Sequence, residues 1–128
     1  MNEKRLWNKI KKNIPKAQFT RIESSTMNGI PDVFGILFKK CFWLELKSDD
    51  VSYPALNKWQ VVWINKHIKA GGIVFIFKET LLERSLKLYR PVSRFTDPRT
   101  LNPVASFSFP YNWARIQEQL VSLLREAA

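Results

Sequence analysis

A single cysteine, Cys41, and a single histidine, His67, leave this chain almost without soft metal ligands. One cysteine forms no internal disulfide, and with one histidine it falls short of any familiar zinc-cluster spacing. A reducing setting, intracellular and cytoplasmic, fits that poverty. Long apolar runs are missing too: nothing approaches the roughly 18 consecutive apolar residues of a membrane-spanning helix. The opening Met1 to Trp7 lacks the apolar centre of a secretory leader. Internal repeats and low-complexity linkers are equally absent, so the expectation is a soluble protein with no membrane partner. Acidic residues are the last scarcity, with 11 Asp and Glu against 21 Lys and Arg and a formal net charge of +10. A field so unbalanced attracts polyanions and puts nucleic acid ahead of an anionic membrane surface as the partner class. Charge alone says nothing about catalysis.

What is present suits one core. With 128 residues, 45% of them apolar, residues 1–128 form a single domain. Leu6, Trp7, Ile10 and Ile14 recur at helical spacing among lysines and arginines, which predicts an amphipathic helix ending before Pro15. The runs Asp32 to Phe38 and Cys41 to Lys47 read as two strands joined at Lys39-Lys40, a hairpin without the usual Asn-Gly turn. Pro54 suits the first turn of a helix running to about Ala70, with Ser52 or Tyr53 near its cap and Gly71-Gly72 ending it. Ile73 to Phe77 reads as an inner strand, and Leu86 to Tyr89 as a shorter one. The stretch from Pro91 to Pro110, with four prolines, predicts an irregular excursion. Trp113, Ile116, Leu120, Val121 and Leu124 close the chain as a second amphipathic helix. With a short segment from Phe19 to Glu23 ahead of the hairpin, the order expected is α, β, β, β, α, β, β, α.

The hairpin carries the chemistry. Alternation along its second strand puts Phe42, Leu44 and Leu46 on one side and Trp43, Glu45 and Lys47 on the other. Antiparallel pairing then brings Asp32, at the start of one strand, towards Glu45 near the end of its partner. Two neighbouring carboxylates repel. A divalent cation removes that penalty, and hard oxygen donors favour Mg²⁺ or Mn²⁺. Such a cation can polarise a phosphodiester, activate water and offset developing charge. Lys47, two residues beyond Glu45, reaches the same phosphate; a plain Glu45–Lys47 surface ion pair is the competing account. Glu23 precedes the stretch Ser24 to Gly29, which can fold it back as a further cation ligand; it can equally pair with Arg21, and Glu3 can take its place through the first helix. Gln60 falls on the core-facing side of its helix with Leu56 and Trp63, where its amide can hold a carboxylate, water or phosphate, or simply cap the helix or anchor it to the sheet. His67 reads as a packing or surface residue, and Trp43, Trp59 and Trp63 can either fill the core or stack on bases.

Arg21-Ile22-Glu23-Ser24-Ser25, Gly29-Ile30-Pro31-Asp32-Val33, Trp43-Leu44-Glu45-Leu46-Lys47 and Gln60-Val61-Val62-Trp63 together resemble the virus-type replication-repair nuclease family of the PD-(D/E)XK superfamily, in both order and spacing. The resemblance covers about Phe19 to Phe77; beyond Arg90 no motif is assigned. It implies an α/β, restriction-endonuclease-like core, a mixed central sheet flanked by helices, with Mg²⁺ or Mn²⁺ as cofactor and endonuclease activity on DNA. It further implies Asp32, Glu45 and the Leu46 carbonyl as metal ligands, Lys47 as the catalytic lysine, Gln60 as its supporting glutamine and Glu23 as an additional acidic member. Stand-alone members are often phage-encoded, acting in the host cytoplasm, and homodimeric, and some resemble enzymes that cut branched or Holliday-junction DNA. Two other classes remain open: a non-catalytic DNA-binding module and a metal-dependent RNA nuclease.

Overall fold

A computed structural model describes residues 2–23 and 28–127 of the chain. The elements are α1 (Asn2–Asn13), β1 (Gln18–Arg21), β2 (Val33–Leu37), β3 (Lys40–Asp49), α2 (Lys58–Lys69), β4 (Val74–Thr80), β5 (Ser85–Tyr89), β6 (Ala105–Ser108) and α3 (Trp113–Glu126), with a 3₁₀ turn at Pro98–Thr100. The strands make one six-stranded sheet in sequence order. All neighbours are antiparallel except β3 and β4, which run parallel. A parallel pair needs a long crossover, and α2 is that crossover. The protein is an α/β fold whose mixed sheet is flanked by helices on both faces.

Alternation in the strands builds a separate core on each face. On one, Phe42, Leu44 and Leu46 of β3 and Phe75 and Phe77 of β4 pack under α1 and α3, which contribute Leu6, Ile10, Ile116, Leu120 and Leu124. On the other, Val74 and Ile76 meet Val61 and Ile64 of α2, joined by Leu56, Tyr89 and Phe95. Every residue of β4 is buried, as befits a central strand covered on both sides. No helix among the described residues is long and apolar enough to cross a membrane.

Three expectations are corrected. The hairpin turn sits at Phe38-Lys39, one residue earlier than expected, and both residues have positive φ, 55° and 60°. That is the conformation of a primed two-residue turn, adopted here without glycine. The α2 helix starts at Lys58, not Pro54, because Asn57 and Gln60 form a reciprocal capping box that fixes its first turn. Pro54 and Leu56 are instead buried in the connection leading to it. The Pro91 to Pro110 excursion contains β6, whose Phe107 pairs with Leu86 and completes the sheet.

Candidate active site

β2 is shorter than β3, and the mismatch creates the site. The last β2–β3 pair is Val33 with Leu44, whereas β3 runs on to Asp49. The Trp43 N–H donates to Ile73 on the β4 side. Strand geometry therefore turns the main-chain groups of Leu44, Leu46 and Ser48 towards β2. Beyond Leu44 that edge has lost its ladder partner, and carboxylates take over. Asp32 Oδ2 accepts the Leu46 N–H at 2.9 Å and Glu3 Oε2 accepts the Ser48 N–H at 3.3 Å. The Leu46 carbonyl faces the same edge as its own N–H, beside Asp32. Asp32 is itself anchored through its carbonyl, which accepts the Ile22 N–H at 2.8 Å.

Glu45 projects from β3 towards α2 and is only 2% exposed. Gln60 Nε2 donates to Glu45 Oε2 at 2.9 Å, and Lys47 Nζ lies 3.7 Å from the same oxygen. The cap dictates which end of the amide faces the carboxylate. Gln60 Oε1 is occupied by the Asn57 N–H at 2.9 Å, and Asn57 Oδ1 by the Gln60 N–H at 2.9 Å, so only the NH₂ end is left for Glu45. Capping and support of the site, alternatives at the level of sequence, are here one arrangement. Gly29 closes the assembly from the other side. Its φ is +88°, and a Cβ there would lie 2.2 Å from the Trp59 carbonyl oxygen. Glycine thus lets the segment leading into Asp32 rest on the turn that presents Gln60.

Burial dominates the electrostatics of the two carboxylates. Burial raises the Asp32 pKa, offset in part by the Leu46 N–H, Arg21 and Lys47. Burial and then the Asp32 charge push Glu45 from 4.5 to about 8, against the pull of Lys47. Two buried carboxylates, one of whose charge disfavours ionisation of the other, next to a main-chain carbonyl, are a donor set that fits a hard cation. Among the described residues no group of three or more His, Cys, Asp or Glu side chains is arranged to hold a metal; the set is two carboxylates and a carbonyl.

Glu23 is exposed and makes no hydrogen bond or ion pair among the described residues. Ser24 to Met27, expected to fold it back, lie outside those residues. The acidic side chain on the open edge of β3 is Glu3, whose charge also raises both Asp32 and Glu45. His67 stacks on Trp63, with centroids 4.8 Å apart and rings at 19°, in a packing role. Lys78 was not anticipated. It is completely buried, pairs with Asp49 and stands between Lys47 and Lys87 in register across β3, β4 and β5. Burial, reinforced by those two lysines and opposed by Glu3 and Glu79, brings its pKa down to about 8. Such a row of like charges is costly in a sheet. On the opposite face Glu79 accepts from Ser48 Oγ at 2.7 Å and from the Tyr111 hydroxyl at 2.8 Å. The carboxylates lie at the interrupted edge of β3, and a separate surface cleft runs along the outer side of α2.

No family model matches this chain, and no curated protein sequence matches it.

Proposed function

We propose that this protein is a divalent-metal-dependent endonuclease acting on DNA, with a restriction-endonuclease-like core. The observation that carries the reading is the convergence of Asp32, Glu45, Lys47 and Gln60 on one interrupted strand edge. The spacing that resembles the virus-type replication-repair nucleases supplies the substrate class, and the net charge of +10 supplies long-range attraction to a polyanion.

Asp32, Glu45 and the Leu46 carbonyl would hold Mg²⁺ or Mn²⁺. When bound, the cation supplies a Lewis acid for a non-bridging phosphate oxygen and lowers the pKa of the attacking water. Gln60 holds Glu45 in the orientation that leaves Oε1 available. Lys47, its side chain 20% exposed, places an ammonium where it can orient the nucleophile and stabilise charge on the pentacovalent phosphorus.

The test is single-turnover cleavage of duplex, single-stranded, flap and four-way-junction DNA with matched RNA. Cutting of DNA is expected with Mg²⁺ or Mn²⁺ and none with EDTA. Lys47→Ala (K47A) should slow turnover by about 100-fold or more with a smaller effect on metal affinity. Cleavage confined to RNA would move the substrate class to RNA. Robust DNA binding with no metal uptake and no cutting of any substrate would make the protein a binding module instead.

A homodimer is part of the proposal, because two centres can address two strands. Light scattering should then report twice the 15.1 kDa chain mass. A monomer that persists on junction DNA would rule the dimer out and leave single-strand nicking.

A further inference from the structure

We propose that the exposed indole of Trp59 is a stacking platform for one unpaired nucleobase of the bound DNA strand, and that it directs the nuclease towards single-stranded and branched substrates. The inference rests on the nuclease reading above and narrows it to a substrate class.

Three tryptophans surround the site in sequence, and the fold treats them differently. Trp43 and Trp63 pack edge to face, 5.3 Å between centroids, partly buried against the core beneath α2. Trp59 belongs to neither core and is 50% exposed. Its backbone is nevertheless fixed. The Trp59 carbonyl lies against Gly29, and the next residue is Gln60, which holds Glu45. A large, flat apolar ring is therefore displayed from a capped turn beside the candidate catalytic carboxylate.

The surroundings specify the occupant. Lys58 Nζ sits 5.0 Å from the Trp59 ring centroid, so a cation and a π-face are offered together. Helical geometry places Val62 and Lys66 on the same outward side. Val62 is 45% exposed, and a cleft of about 530 Å³ continues from it, lined by Lys66, Lys69 and Arg94. The α2 sequence contains no acidic residue. An aromatic surface followed by acid-free, basic walls is complementary to a chain of phosphates with splayed bases. A base still stacked in continuous duplex cannot lay its face on an indole. A base in a flap, a junction or a single strand can, and this makes the contact selective for DNA structure and tolerant of sequence.

The experiment compares the wild type with Trp59→Ala (W59A) and Trp59→Phe (W59F), after thermal melts establish that each is folded. Binding is measured in EDTA at fixed salt, so that metal and cleavage play no part. W59A should weaken binding of single-stranded and flap DNA by about 10-fold or more, while blunt duplex stays within roughly 2-fold. W59F should recover most of the loss. A 2-aminopurine base scanned through the unpaired strand should be quenched at one position by the wild type and not by W59A. Equal weakening on duplex and single strand, or quenching that survives in W59A, overturns the platform. If the wild type cuts DNA and W59A keeps full affinity for unpaired strands, the platform falls and the nuclease reading stands. If Trp59 binds unpaired DNA but no substrate is cut, the platform stands and the nuclease reading falls.

Discussion

Glu45→Gln (E45Q) should abolish metal-dependent cleavage, by roughly 1,000-fold or more, and at the same time stabilise the metal-free protein at pH 8.5. The first effect follows from removing one of the proposed anionic metal ligands. The second follows from the pKa of Glu45, which is raised from 4.5 to about 8 by burial and by Asp32. Between those two values the folded state binds the proton more tightly than the unfolded chain does, so stability falls as pH rises through the window and levels off above about 8. Glutamine accepts the Gln60 hydrogen bond and never ionises. The advantage of E45Q should be absent near pH 4.5 and reach about 1–3 kcal/mol above pH 8, a rise of several degrees in Tm. Added Mn²⁺ should raise the Tm of the wild type, more so at higher pH because binding displaces the Glu45 proton, and should do little for E45Q. Melting curves across pH with and without metal provide the check; a variant no more stable than the wild type at pH 8.5 would contradict the buried, repelled carboxylate. Asp32→Asn keeps an acceptor for the Leu46 N–H and should lose cleavage just as fully.

Gly29→Ala should cost both fold and activity although no functional group is removed. The added methyl meets the Trp59 carbonyl at 2.2 Å in a backbone with φ +88°. Relief requires the segment entering Asp32 to lift away from the first turn of α2. A loss of about 2–4 kcal/mol is expected, with single-turnover cleavage down by 10- to 100-fold because Asp32 and Glu45 no longer keep their spacing. Gly71→Ala is the matched control. Its φ is +96°, but a Cβ there meets nothing within 4 Å, so only the backbone penalty of about 1–2 kcal/mol applies, and cleavage by the folded fraction should be unchanged. Equal cleavage by the two variants would show that Gly29 is merely a turn residue.

How much of this was legible beforehand depended on whether a feature is local. The two faces of β3 follow from alternation within Phe42 to Lys47, and the approach of Asp32 to Glu45 follows from a hairpin that a two-residue turn allows. Gln60 stood out as an amide on the apolar side of a helical pattern. Its partner Asn57 does not stand out in the same way because Pro54 is an equally good helix opener, and the capping box decides between them, with Pro54 and Leu56 buried in the connection. β6 was hidden by its length of four residues among prolines; pairing with β5 stabilises it, and that pairing is a tertiary fact. Lys78 was invisible for a similar reason. Parallel register between β3 and β4 sets it beside Lys47, and nothing within either strand encodes that register. Glu3 was recognisable only as an alternative to Glu23, since its reach to Ser48 depends on how α1 docks on the sheet.

Gln60 joins two processes that most proteins keep apart. Its side-chain oxygen closes the first turn of α2 and its nitrogen fixes Glu45, so thermal fraying of that turn and loss of the Glu45 carboxylate's orientation are one event. The opening free energy of a single helical turn, measurable by amide hydrogen exchange at the start of α2, therefore sets the fraction of folded molecules in which Glu45 is held in place at any instant.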